Sequence, residues 1–258
     1  MADLIISAKS GSDWTRNELA YFNIKIRDVE APAFFNRASL PPPSVPPGIL
    51  QNAVATPDMT EEEQDFFNYL EVAMIEEESA VDDFAAYLFR LFRYNRPNRI
   101  IRTKKEMSFI MGGKKVSAKA DVTIQDQGHY LLLVQENKRN RSTDDATAQL
   151  MAECIAAFEN NKHLRTFEPL RPPLEHQVIP GITMVGSTPV FFRATITTKL
   201  QEAVATMRRP SEETIVLRFI PPVPDPASYY IQGMNRVDNR LPIMQCFEAF
   251  KDLLGMPA

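Results

Sequence analysis

Three residues of this chain have types and a spacing that could do chemistry: Asp121, Glu136 and Lys138. They lie in two β-like stretches, Ala120-Asp121-Val122-Thr123-Ile124 and Leu132-Leu133-Val134-Gln135-Glu136-Asn137-Lys138, on either side of a turn at Gly128. Alternate residues of a strand share a face, so Glu136 and Lys138 project together from the polar end of an apolar strand. With Gln127-Gly128 as a two-residue hairpin loop, Asp126 opposes His129 and Asp121 falls opposite Val134. Asp121 is then a diagonal neighbour of Glu136, close enough for two carboxylates to share one hard cation such as Mg2+ or Mn2+. A register slipped by one residue would carry Asp121 to the other face and remove the site.

Two carboxylates and an ammonium at the end of a buried strand are costly unless something offsets their desolvation, and oxygen ligation of a divalent cation would do so. In such a site the metal polarises a scissile phosphate and acidifies a bound water, while the lysine orients that water or steadies the charge growing on the phosphate. The competing reading of the same residues is a salt-bridged cluster that only finishes the strand.

The surrounding elements must hold these groups in place. Tyr130 to Val134 is apolar on both faces, the pattern of a strand in the middle of a sheet. Strands are also expected from Ile100 to Ile110, from Val116 to Ile124, across Ile182 to Thr195 with a break at Pro189, and from Thr214 to Ile220. Gly112-Gly113 marks a hairpin tip, and Lys114-Lys115 beside it lacks the spacing of a phosphate loop. Thr60 with Glu63 forms a capping box opening a helix through about Ile75, and Ser79 with Asp82 suggests a second box for a helix ending near Tyr94. Further helices are expected at Trp14 to Phe22, followed by an extended piece at Asn23 to Ile26, and at about Thr147 to Phe158 and Ile243 to Leu254. Pro41-Pro42-Pro43-Ser44-Val45-Pro46-Pro47 is a stiff surface connector. These elements predict an α/β fold with a central mixed sheet of four or five strands flanked by helices. Residues 1–57 read as an N-terminal arm and connector, and residues 58–258 as the domain.

The chain has 258 residues, 44% of them hydrophobic, enough for a sizeable core. There is no apolar run of membrane-spanning length and no signal peptide at the start, so an intracellular location in cytoplasm or nucleus is expected, with no membrane partner. Cys154 and Cys246 lie far apart among apolar residues and read as buried reduced thiols. His129, His163 and His176 show no ligand spacing and read as surface or capping residues, and Trp14 as a packing anchor. The net charge of −4 conceals a segregation: eleven carboxylates and no Lys or Arg from Asp58 to Asp83, then twelve Lys or Arg against four acids from Arg93 to Arg141. A basic segment around isolated acids suits a polyanion site that also holds a cation.

The order of helix with an acid, hairpin with Asp, strand ending Glu-x-Lys and then a helix resembles the core of the PD-(D/E)xK nuclease superfamily, a restriction-endonuclease-like fold. The resemblance covers roughly Glu76 to Phe158. It implies metal-dependent hydrolysis of phosphodiesters in DNA or RNA, with Glu78, Asp121 and Glu136 as metal ligands and Lys138 beside the attacking water. Glu76, Glu77 and Asp82 lie near enough to serve in place of Glu78. Ala120 stands where the family usually has proline. Gln149 resembles the glutamine that opens the next helix in the exonuclease branch, where it would position the scissile strand. Glu153, one turn later, is either a support to the site or an exposed acid. Arg102, Lys104, Lys119, Arg139 and Arg141 are the expected phosphate contacts. As a whole the chain also resembles a group of fungal proteins with no assigned activity, through stretches such as Pro180-Gly181-Ile182-Thr183-Met184-Val185-Gly186. The rival to the nuclease is a binding or scaffold protein that keeps this fold without cutting; a homodimer or a protein partner is left open.

Overall fold

The computed structural model describes residues 6–75, 78–136, 143–168 and 170–255. Along the chain they form α1 (Arg16–Tyr21), β1 (Ile24–Asp28), α2 (Ala31–Phe35), α3 (Pro47–Gln51), α4 (Glu61–Met74), α5 (Glu78–Leu91), β2 (Ile100–Met111), β3 (Lys114–Asp126), β4 (His129–Glu136) and α6 (Thr143–Arg165). The second half adds β5 (His176–Val185), β6 (Thr188–Thr197), α7 (Thr198–Thr206), β7 (Thr214–Phe219), α8 (Tyr229–Gln232) and α9 (Val237–Phe250).

The α/β class is as expected, but the mixed sheet is larger than four or five strands. Seven strands stand in the order β1-β7-β6-β5-β4-β3-β2 among the described residues. Two additions account for the difference. Residues 182–195 are not one interrupted strand: the chain turns at Gly186 (φ 54°) and Ser187, and β5 and β6 pair from Val185↔Thr188 outward. Pro189 therefore lies inside β6, opposite Met184, rather than at the break. The other addition is β1, which joins the far edge by running parallel to β7, with Ile24↔Thr214 and Ile26↔Val216. The β4–β5 pair is the other parallel one, spanned by the long helix α6.

Both faces of the sheet are covered, which is why β4 is apolar on both sides. On one face Leu133, Phe109 and Phe192 pack with Leu150, Ile155 and Phe158 of α6. Every residue of α6 from Ala146 to Phe158 is buried. Its outer side is closed by the start of the chain, where Trp14 stacks on Phe22 with centroids 5.6 Å apart and meets Phe109 edge-on. Gly11 sits at this crossing: a Cβ there would come within 3.0 Å of Ala118 Cβ and 3.1 Å of Ala152 Cβ. Residues before 58 thus contribute a strand and a core anchor to the same body.

The opposite face carries α4, α5 and α9 over Val122, Ile124, Leu132, Val134 and Phe191. Thr60 and Glu63 make the expected capping box, and Glu63 Oε1 also accepts from the Gly48 N–H at 2.9 Å, tying α3 to α4. The second expected box is not formed: α5 already includes Glu78, so Ser79 and Asp82 lie within the helix. The proline connector has no regular structure from Pro41 to Pro46, Pro47 opening α3, and Ser44 is fastened to Glu248 of α9 through its N–H (3.0 Å) and hydroxyl (2.6 Å). Cys154 and Cys246 are free, buried thiols, as expected. No helix among the described residues is long and apolar enough to cross a membrane.

Arg240 fixes this second layer. Its fully buried guanidinium donates to the carbonyls of Met234 (2.7 Å), Ile49 (2.9 Å), Asn52 and Ala53 (3.3 Å), and it lies 5.4 and 5.0 Å from the ring centroids of Phe66 and Phe67. Burial lowers its pKa to about 10. Arg240→Met leaves four carbonyls without that donor and is expected to destabilise the protein by about 3–4 kcal/mol in urea unfolding at pH 7. Arg240→Lys should restore part of the loss, since an ammonium reaches fewer of the four. A loss below about 1 kcal/mol for Arg240→Met would mean that the guanidinium does not hold the layer.

Candidate functional site

The hairpin that carries Asp121 starts as the sequence indicates. Gln127 (φ 48°) and Gly128 (φ 86°) form the two-residue loop, and Asp126↔His129 and Gln125↔Tyr130 pair across it. The register then shifts. Ile124 pairs with Leu132, so Leu131 is an extra residue in β4, a bulge. From there Thr123 faces Leu133 and Val122 faces Val134. Asp121 is consequently displaced from Val134 to Gln135, whose Nε2 donates to Asp121 Oδ2 at 3.0 Å. The expected register is thus off by one, and the shared face inferred for Asp121 and Glu136 does not follow from it.

A second irregularity sits at the same place. Thr103 pairs with Val122 and Lys105 with Ala120, while Lys104 and Asp121 between them stand out of the ladder. Lys104 has a φ of 49°. The backbone turns over here: Ala120 packs into the α6 layer and Val122 into the α5 layer. Asp121 therefore occupies the crossing point, half-buried, within electrostatic reach of both helical layers.

Each layer brings an acid to it. Asp82 of α5 is 4% exposed, and its Oδ2 lies 3.2 Å from Lys104 Nζ. Burial, and then the charge of Asp121, push the Asp82 carboxyl up from 3.8 to about 6 against the opposing pull of Lys104. Glu153 of α6 is 2% exposed, and its Oε2 has no hydrogen-bond partner among the described residues. Burial, with Asp121 adding to it, holds Glu153 well above the ordinary carboxylate range. Neither acid was chosen outright from the sequence. Asp82 stood among alternatives to Glu78, and Glu153 was open between support and surface; periodicity alone could have placed Glu153 on the buried side of an all-round apolar helix.

The remaining expected residues divide. Glu78 opens α5 and Glu136 ends β4, where it pairs with Met184 of β5, but their side chains lie outside the described residues. Lys138, Arg139 and Arg141 also lie outside them. Gln149 is buried in α6, one turn before Glu153, and its Nε2 donates to the Ser12 carbonyl at 2.8 Å, which ties the first turn of the chain to this helix. Arg102 and Lys119 are exposed on β2 and β3, paired with Thr123 and Glu106. Lys104 is engaged by Asp82, its side chain half exposed. His129 is corrected: it is buried, with Nε2 2.8 Å from Glu168 Oε1, because the bulged hairpin tucks it under the end of α6. Among the described residues no three His, Cys, Asp or Glu side chains converge as a ready-made metal site.

Such an arrangement can hold protons or a cation. With no cation bound, the folded protein keeps the Asp82 proton to about pH 6, whereas the unfolded chain releases it near 3.8. Between those values the unfolded state binds fewer protons, so stability is expected to fall as pH rises through that window and to level off above it. In chelator-treated protein, Asp121→Asn should lower the Asp82 midpoint in carbon-detected carboxyl NMR, yet leave it above 3.8 because burial remains. An unmoved midpoint would show that Asp121 does not act on Asp82. Neither protein-family models nor curated proteins contain a match to this chain.

Proposed function

We propose that the chain is a metal-dependent nuclease acting on DNA or RNA, with its site at the junction of α5, β3, β4 and α6 on a restriction-endonuclease-like core. The observation that carries this reading is that buried acids from both helical layers, Asp82 and Glu153, each feel the charge of Asp121 at a break in the strand ladder. A fold gains nothing from like charges drawn into its interior unless a cation or protons offset them. The buried oxygen of Glu153, unpartnered among the described residues, fits a site built for a cation.

Asp121 would hold Mg2+ or Mn2+; Glu136 enters as a ligand on the family resemblance alone, since Asp121 stands beside Gln135 and the Glu136 side chain lies outside the described residues, and Asp82 is proposed for the α5 position expected of Glu78, as a described acid of that helix that feels Asp121. The ion supplies the charge that polarises a phosphate and acidifies a water. Gln135 orients the Asp121 carboxylate through its 3.0 Å hydrogen bond. Lys104 balances Asp82 without sealing the site, its side chain being half exposed. Lys138 is assigned to the attacking water. Arg102 and Lys119 flank the break on the outer strands, where a phosphate backbone could lie. The rival, a binding protein of the same fold that does not cut, draws on Gln149, whose amide is committed to Ser12 rather than to a substrate.

Cleavage of single- and double-stranded DNA and RNA with Mg2+ or Mn2+ tests the reading. Wild type is expected to cut, and Asp121→Ala, Glu136→Ala and Lys138→Ala, each checked for folding, to lose activity by about a hundredfold or more. Mg2+ at about a hundred times its Kd should also stabilise the wild type by about 2.7 kcal/mol, and Asp121→Ala should lose that gain. No cutting together with no metal-dependent stabilisation would leave the non-cutting reading.

Phosphate contact by the outer strands has its own signature. Arg102→Gln with Lys119→Gln is expected to reduce the slope of log affinity against log salt by about 1.8 for duplex DNA, near 0.9 for each lost contact, whatever the sequence. An unchanged slope would take these two residues off the binding path.

A further inference from the structure

A second surface lies on the helical hairpin of α4 and α5. The inward stripe of α4, Phe66, Phe67, Leu70 and Ala73, is fully used by the core. Yet Tyr69, Val72 and Ile75 on the outward side are apolar too, and they are 36%, 47% and 66% exposed. The core does not need them, and grouped exposed apolar side chains on a polar rim are a mark of interaction sites.

Between the two helices lies a groove of about 350 Å3, floored by Tyr69, Val72 and Ala80 and rimmed by Asp65 and Asp83. Its wall is set in advance. The Tyr69 ring stacks on Tyr87 with centroids 4.8 Å apart, and the Tyr87 hydroxyl donates to the Glu62 carbonyl at 2.6 Å. The charge around it has one sign: no Lys, Arg or His occurs between Arg37 and Arg90. Among the described residues neither Asp65 nor Asp83 has an ion-pair partner, and Glu61, Glu62 and Glu71 stand exposed nearby. Anionic partners, nucleic acids and acidic lipid surfaces alike, are repelled by such a rim. The groove is of side-chain size rather than domain size.

We propose that this groove binds a short segment of a partner protein that carries Lys or Arg on either side of an apolar side chain. The apolar group would enter between Tyr69 and Val72, and the cations would meet Asp65 and Asp83. This inference does not rest on the nuclease reading, since it uses neither Asp121 nor the acids around it.

Fluorescence anisotropy on the whole chain tests it with three labelled peptides of equal length: a helical Lys/Leu amphipath, its Glu/Leu counterpart and a Lys/Gly peptide without apolar groups. The Lys/Leu peptide is expected to bind at least about tenfold more tightly than either control. Asp65→Asn with Asp83→Asn, and separately Val72→Asp, should each weaken it by about tenfold or more; all three positions are exposed, so folding is spared. Glu61→Gln with Glu71→Gln removes the same charge outside the groove and should change affinity by less than about twofold. Absence of binding, equal binding of the Lys/Gly peptide, or equal weakening by the two charge-removing pairs would each overturn the proposal.

Discussion

Burial of β4 on both faces is the constraint from which the rest of this structure follows. Tyr130 to Val134 has no polar side, so it can exist only between two helical layers, and those layers must come from distant parts of the chain. On one side α6 returns directly after β4 and is itself enclosed by Trp14 and the first turn of the chain. On the other, α5 arrives before β2 and α9 after β7, stacked through Phe92 and Phe247, while the guanidinium of Arg240 ties α9 to α3 and α4. A strand so enclosed ends where the layers diverge. There the polar residues Gln135 and Glu136 appear.

That geometry makes the cluster around Asp121 a consequence of the architecture and a cost to it. α5 and α6 approach the sheet from opposite sides, so an acid on each could meet across the sheet only where the ladder opens. The ladder opens at Lys104 and Asp121, which is where Asp82 and Glu153 exert their effect. Each buried carboxylate raises the energy of ionising the next, and Lys104 relieves only part of this. A purely structural core has no reason to keep three such groups at one opening, and apolar residues of similar size would serve stability better.

Much of this was legible in the sequence, and the failures have physical causes. The β2–β3 and β3–β4 tips, at Gly112-Gly113 and Gln127-Gly128, were readable because left-handed backbone selects glycine and its neighbours. The bulge at Leu131 was not, because a strand apolar on both faces carries no alternation to fix its phase: Tyr130, Leu131 and Leu132 fit either register. The two additional strands stood outside the expected sheet for different reasons, although Asn23 to Ile26 reads as extended. The Gly186-Ser187 turn was hidden by Pro189, a stronger breaker on paper that sits harmlessly within β6. The β1–β7 pairing joins residues about 190 positions apart, and nothing local announces it. Asp82 was misread as part of a capping box because Ser-x-x-Asp has the right spacing, although the helix had already begun.

The same polarity that organises the sheet also sorts charge along the chain. The acid-rich stretch becomes the hairpin of α4 and α5, while the base-rich stretch becomes β2, β3 and their tip; among the described residues the pair Asp82–Lys104 is a salt bridge between the two. A nucleic acid lying along Arg102 and Lys119 would therefore be bounded by the acidic helices, which confine it to the strand side and keep it off Tyr69 and Val72. Conversely, a cationic segment seated between α4 and α5 would be repelled by the outer strands. Asp82 sits in one helix with Asp83, one residue turned toward the sheet and the other toward solvent. A single helix, α5, thus presents one acid to each surface, and its rigid seat on Phe84, Leu88 and Phe92 keeps the two environments apart.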